Sequence, residues 1–282
     1  MTVFLNGDFL PLAEARIPVL DRGFIFGDGV YEYLPVYSRK PFRMHEHLGR
    51  LQASLDSIRL NNPYDEAGWQ QRIHTLIAAQ DFDDQAVYIQ ITRGVAPRDA
   101  AFPAHTPPTV FMMAHPLPTP SAESKATGVS AITAADNRWL RCDIKSVSLL
   151  PNVLLRQMSV DAGCAETVLL RDGFLTEGTA SSIFVVQSGV LLAPPKSHLT
   201  LPGITYDVVL ELAAQHGMSH QVRPISEDEM RSADELWMVS SPKEVLAIVR
   251  LDDRAIGDGT PGPLARRMDA LYQQYKAQVM RA

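Results

Sequence analysis

Lys145 lies in WLRCDIKS, residues 139–146, an alternating stretch that reads as strand or loop and runs on to Leu149-Leu150. Glu177 lies in LTEGTASSIF, residues 175–184, where it ends a hairpin strand beside Gly178. A lysine amine that attacks an aldehyde must first lose its proton, which burial or neighbouring positive charge promotes. A carboxylate beside a heterocyclic nitrogen keeps that nitrogen protonated and makes the ring an electron sink. Lys145 and Glu177 could fill these two parts, although a lone lysine and a lone glutamate are most often simply solvated.

Other familiar chemistries lack their residues. No G-x-G-x-x-G opens a helix after a strand and no G-x-x-x-x-G-K-[ST] occurs, so the usual dinucleotide and nucleotide loops are missing. Asp28, within Gly27-Asp28-Gly29, is too isolated to suggest a metal. His45 and His47, two apart, project to different sides of a helix and read as surface or helix-end residues. Cys142 and Cys164 show neither C-x-x-C spacing nor an even larger set, which argues against zinc and against a disulfide framework.

The elements that must position such residues follow from periodicity and turn chemistry. Val3-Phe4-Leu5 and Phe9-Leu10 flank Asn6-Gly7, a hairpin turn dipeptide. Val30–Tyr37 and Pro41–Met44 read as a second hairpin. Leu48, Leu51, Leu55 and Ile58 predict a helix over about 45–60, and Trp69, Ile73, Leu76 and Ile77 a further one. Val87–Thr92 and Thr109–Ala114 are strand-like. The proline-rich HPLPTPSAESKATG, residues 115–128, is expected to hold neither a central strand nor a helix, which places a domain boundary at 117/118. Beyond it come a strand at Val129–Thr133, a helix at about 149–162 closed by Gly163, and a hairpin turning at Asp172-Gly173. A strand at Ile183–Val186, a helix from Thr205 to His216, strands near 235–250 and a C-terminal helix complete the chain. Strands in hairpins and neighbouring runs imply an α+β arrangement of two domains, 1–117 and 118–282, the second carrying Lys145, without alternating βαβ units.

Composition bounds the partners. A chain of 282 residues, 46% hydrophobic and 21% charged, sits where one core tends to divide into two. Its net charge of -6 and the lack of any basic run make nucleic acid and anionic membrane poor partners. MTVFLNGDFL carries no basic region followed by a long apolar stretch, and no segment reaches the length of a membrane span. A soluble, cytoplasmic protein is expected.

Six ordered blocks then carry a resemblance: DRGFIFGDGVYE (21–32), EHLGRL (46–51), ITRGVAPR (91–98), RWLRCDIKS (138–146), LTEGTASSIF (175–184) and LPGIT (201–205). Over nearly its whole length the sequence resembles the class IV, fold type IV aminotransferases, which depend on pyridoxal 5'-phosphate, and among them the D-amino-acid transaminases. The resemblance implies a small N-terminal and a large C-terminal α/β domain, a homodimer, and ping-pong exchange of amino groups between D-amino acids and 2-oxo acids. It makes Lys145 the Schiff-base lysine and Glu177 the partner of the cofactor's pyridine nitrogen. Arg50 becomes the phosphate-binding arginine, with forked donors suited to phosphate oxygens. Ile204 and Thr205 offer amides at a helix start, with Leu201, Ser240 and Ser241 also at the cofactor.

Tyr31 and Arg98 match residues that hold the substrate carboxylate in the D-selective members. Those members place a histidine two residues after the arginine, where this chain reads Arg98-Asp99-Ala100; Ser182 also stands where the relatives carry asparagine. The departure at Ala100 bears on substrate and leaves the chemistry intact. Rival readings within the fold are a branched-chain L-amino-acid aminotransferase, an (R)-amine transaminase and aminodeoxychorismate lyase. Outside enzymes, the rival is a catalytically silent binding protein of the same fold.

Overall fold

The computed structural model describes residues 1–282. Its contacts divide the chain into two compact units, one of Met1–Leu117, Ile144–Leu149 and Arg281, the other of Pro118–Asp143, Leu150–Met280 and Ala282.

The first unit opens on the hairpin of β1 (Thr2–Leu5) and β2 (Asp8–Pro11). Asn6 and Gly7 turn it at φ 52° and 116°, the left-handed region that this dipeptide tolerates. The short helix α1 (Arg22–Phe26) is capped by the Asp21 side chain, which accepts from Gly23 N. Then follow β3 (Gly29–Tyr37), β4 (Lys40–Pro41), α2 (Met44–Ser57), α3 (Glu66–Ala78), β5 (Gln85–Thr92) and β6 (Thr109–Pro116). All six strands form one antiparallel sheet in the order β2-β1-β6-β5-β3-β4. The apolar stripes of α2 (Leu48, Leu51, Leu55) and α3 (Trp69, Ile73, Leu76, Ile77) share one core with Val30, Leu34, Val87, Ile89 and Met112 of the sheet. The periodicity read in the sequence is thus the core-facing side of both helices. α2 stops at Ser57, short of the expected residue 60, because Arg59 turns to φ 53°.

The second unit contains α4 (Ala122–Thr127), β7 (Val129–Ala135), α5 (Leu150–Asp161), β8 (Glu166–Arg171), β9 (Phe174–Gly178), β10 (Ser182–Gln187) and β11 (Val190–Ala193). It continues with α6 (Ile204–Gln215), β12 (His220–Val222), α7 (Glu227–Arg231), β13 (Glu235–Ser240), β14 (Glu244–Leu251), β15 (Arg254–Ala255) and α8 (Pro263–Tyr275). Its sheet runs β12-β11-β10-β13-β14-β7-β8-β9, with β15 paired to β14.

Three expectations are corrected here. α4 lies inside the proline-rich stretch: the prolines end at Pro120, and Ser121 caps a helix that starts after them by accepting from Ser124 N. β7 and β8 are parallel with α5 between them, and β11 and β12 are parallel with α6 between them. The α+β class therefore includes two βαβ units, since parallel neighbours need such a crossover. Finally, Ile144–Leu149 belongs to the first unit although both flanks belong to the second. The cause is backbone pairing with β3: Tyr31 N donates to Lys145 O at 2.8 Å and Val147 N to Gly29 O at 3.1 Å, with a bridge between Val30 and Ser146.

Candidate active site

In the first unit, Lys145 is fixed through its backbone from two sides. Beyond the bonds to β3, its N–H donates to Ser54 Oγ of α2 at 3.2 Å. The half-buried side chain then places Nζ 4.3 Å from the centroid of the Tyr31 ring, within the range where a cation is drawn to an aromatic face. Tyr31 itself packs against Tyr88 on the neighbouring strand at 5.6 Å. Two expected site residues therefore meet directly.

Successive side chains of a strand leave on opposite faces, so Glu32 points away from Tyr31, toward α2. There Arg50 Nε donates to Glu32 Oε2 at 3.0 Å and Arg50 Nη2 to Oε1 at 2.5 Å. His47, one turn before Arg50, lies with Nδ1 3.0 Å from the same Oε1. Burial alone would raise the Glu32 carboxyl, but Arg50 and then His47 hold it well below its ordinary value. Burial pushes the His47 imidazolium down in spite of Glu32. We read a neutral imidazole whose Nδ1–H donates a hydrogen bond to the carboxylate and whose Nε2 is buried without a hydrogen-bond partner.

The expectation of a surface residue at His47 is thus overturned, because its helix face is the one α2 turns to β3. His45 does face outward, exposed, and meets Glu66 at 3.1 Å. Neither Glu32 nor His47 was assigned a role from the sequence. The available signal was the three-residue spacing of His47 and Arg50, which puts both on one helix face. Removing one member of a buried ion pair strands the other. Glu32→Gln is therefore expected to destabilise the protein by about 3 kcal/mol, read from urea unfolding. A midpoint equal to wild type would show that Glu32 does not anchor Arg50.

Arg98 is exposed, with its guanidinium 5.3 Å over the Phe26 ring. It makes no hydrogen bond to Tyr31 or Lys145. Asp28 pairs with Arg22 and Arg93, each with Nε 2.8 Å from Oδ2.

In the second unit, Glu177 is buried in β9. Its Oε1 accepts from Arg138 Nη1 at 2.5 Å and its Oε2 from Leu201 N at 3.1 Å. Arg138 also grips Asp136 through Nε and Nη2, both at 2.9 Å, and Thr176 Oγ1 donates to Asp136 Oδ2 at 3.0 Å. Burial pushes the Glu177 carboxyl up to about 7 against the pull of Arg138. Arg138 stays cationic, since Asp136 and Glu177 outweigh the effect of its burial. Arg138 sits in a block quoted above, yet nothing in the sequence pairs it with Glu177, because the two lie 39 positions apart with α5 and β8 between them.

The amide of Leu201 on Glu177 leads directly to α6, whose first residue is Ile204. Gly203 caps that helix without a side chain to occupy its first turn, so the amides of Ile204 and Thr205 open the positive end of a 12-residue helix. Thr205 Oγ1 lies 3.4 Å from Ser241 Oγ. Ser240, at the end of β13, accepts from Lys243 N at 3.3 Å. These donors suit a phosphate, and a buried carboxyl titrating near neutrality suits a basic ring nitrogen. The residues present therefore fit pyridoxal phosphate in chemical kind.

Residues 29–251 match the family model of amino-transferase class IV. The chain is 38% identical over 273 residues to D-alanine aminotransferase of Bacillus licheniformis, covering 97% of this chain and 96% of that one. To D-alanine aminotransferase of Staphylococcus aureus strain MW2 it is 34% identical over 274 residues, covering 97% of each. The structure of the T.th. branched-chain amino acid aminotransferase with pyridoxamine 5'-phosphate superposes with a TM-score of 0.91 at 27% identity, over 100% of this chain and 95% of that one. The fold is thus that of the fold type IV enzymes, which carry pyridoxal phosphate. Within them, the chain belongs to the class IV aminotransferases. No helix is long and apolar enough to cross a membrane.

Proposed function

We propose that the protein transfers amino groups between D-amino acids and 2-oxo acids. The observation that carries this reading is the seating of Lys145 Nζ on the Tyr31 ring, which puts the reacting amine beside a phenol able to receive a carboxylate. The similarity to two D-alanine aminotransferases supports the same substrate class. Bound pyridoxal phosphate would supply the electrophilic carbon and the electron sink. In our assignment Arg50, Ile204, Thr205, Ser240 and Ser241 hold its phosphate, and Leu201 lies along its ring. Glu177 keeps a proton at the ring nitrogen, and Lys145 supplies the amine and carries the substrate's Cα proton. Tyr31 and Arg98 orient the substrate carboxylate.

A cytoplasmic homodimer completes the proposal. The dimer is supported by the outer face of α5, where Leu150, Val153, Leu154 and Met158 are 68%, 60%, 60% and 47% exposed. Apolar residues at helical spacing on an open face fit a second subunit.

The missing histidine at Ala100 gives the trap one donor fewer, which weakens carboxylate binding by roughly ten- to a hundred-fold relative to a complete trap. The test mixes purified enzyme separately with D-alanine, D-glutamate, L-leucine and (R)-1-phenylethylamine and follows the cofactor absorbance. D-alanine and D-glutamate are expected to convert the bound cofactor, with weak apparent affinity. Conversion by L-leucine alone would replace this reading with the branched-chain one.

A further inference from the structure

The segment that carries Arg98 is fastened to the first unit by its main chain. Arg22, in α1, is only 3% exposed. Its Nε donates to Asp28 Oδ2 at 2.8 Å, its Nη1 to Asp99 O at 2.5 Å and its Nη2 to Ala100 O at 3.4 Å. Its backbone N–H donates to Gly94 O at 2.8 Å, and Ala96 N donates to Leu20 O at 3.3 Å. The Phe26 ring lies 4.8 Å from the Arg22 guanidinium and 5.3 Å from that of Arg98. At the far end of the segment the Phe102 ring covers Arg93 at 3.7 Å, and Arg93 is tied to Asp28 and to Ile58 O.

One carboxylate, Asp28, thus faces two buried guanidinium groups. Besides the Nε donor that Asp28 takes, Nη1 and Nη2 of Arg22 each donate to a carbonyl of the segment itself. If the segment moved, those donors would stay buried without partners, which is unfavourable; arginine and segment therefore hold each other. Meanwhile the side chains of Arg98, Asp99 and Ala100 are all exposed, and the grip of Arg22 falls on the carbonyls of Asp99 and Ala100 and on none of these side chains. The bond from Arg22 to Ala100 O thus calls for no particular side chain at position 100.

We propose that Arg22 is a positioning residue for substrate: by gripping the carbonyls of Asp99 and Ala100 it sets the place of Arg98, and so the affinity for the substrate carboxylate. This rests on the reading of Arg98 as a carboxylate-binding residue. Lysine cannot substitute, because a compact ammonium lacks the fork that spans Asp28 and two carbonyls at once.

The experiment compares wild type, Arg22→Lys, Arg98→Met and the double variant as holoenzymes. It uses whichever of D-alanine, D-glutamate and L-leucine the wild type accepts best. Arg22→Lys is expected to raise KM about ten-fold with a much smaller change in kcat. It should also speed amide hydrogen exchange over residues 96–103 and leave cofactor retention as in wild type. In the Arg98→Met background the same change should add nothing further to KM, because the two residues act through one interaction. Additive effects, unchanged exchange, or loss of cofactor together with kcat would overturn the proposal. Arg98→Met alone with an unaltered KM would instead remove Arg98 from the carboxylate site, a separate failure seen without touching Arg22. Arg22→Met, which keeps neither charge nor fork, guards against a lysine that happens to reach one carbonyl: it must raise KM at least as much.

Discussion

Lys145→Ala is expected to lower turnover by about three orders of magnitude or more, since it removes both the nucleophilic amine and the proton carrier. The fold should survive. The segment around Lys145 is held by its own N–H and C=O, on Ser54 Oγ and Tyr31 N, and alanine keeps both. Arg50 and the start of α6 should still retain the cofactor noncovalently. Borohydride treatment followed by mass spectrometry separates the cases: the wild type becomes permanently heavier by the reduced cofactor and the variant does not. Turnover by the variant within ten-fold of wild type would remove Lys145 from the chemistry.

Glu177→Gln is expected to slow the single-turnover rate by about two to three orders of magnitude with cofactor still bound, because a neutral amide cannot balance a positive charge on the ring nitrogen. An unchanged rate would place Glu177 elsewhere in the reaction. A second readout needs no cofactor. Folding raises this carboxyl from 4.5 to about 7, so between those values the folded chain keeps a proton that the unfolded chain has lost. The stability it contributes is complete below 4.5 and lost as the pH rises through about 7. In cofactor-free protein, the unfolding midpoint of Glu177→Gln should therefore fall less than that of wild type over this interval.

Local features of the fold were readable because they depend on few residues. Asn6-Gly7 and Asp172-Gly173 turn their hairpins with positive φ at both positions, and Leu48, Leu51 and Leu55 mark the buried side of α2. Parallel pairing was not, because β7 meets β8 only through the crossover of α5 and meets β14 more than a hundred residues further along the chain. β12 was invisible for another reason: His220, Gln221 and Val222 are all exposed, so the strand has no apolar alternation. The residues offered for the site came from ordered motifs. Their buried supports, Glu32 and His47 in one unit and Arg138 in the other, carry charge or polarity that only tertiary pairing brings inside.

The hexapeptide 144–149 is a guest in the first unit, reached from Asp143 and left toward Leu150 through chain that folds elsewhere. Its register is set by the two bonds to Gly29 and Tyr31, and the length of the approach along the chain does not enter. A change of chain length outside the hexapeptide leaves the residues that make these bonds unchanged. One residue lost from within the hexapeptide would turn Lys145 to the wrong side at once. Selection against drift in length thus falls most directly on these six positions.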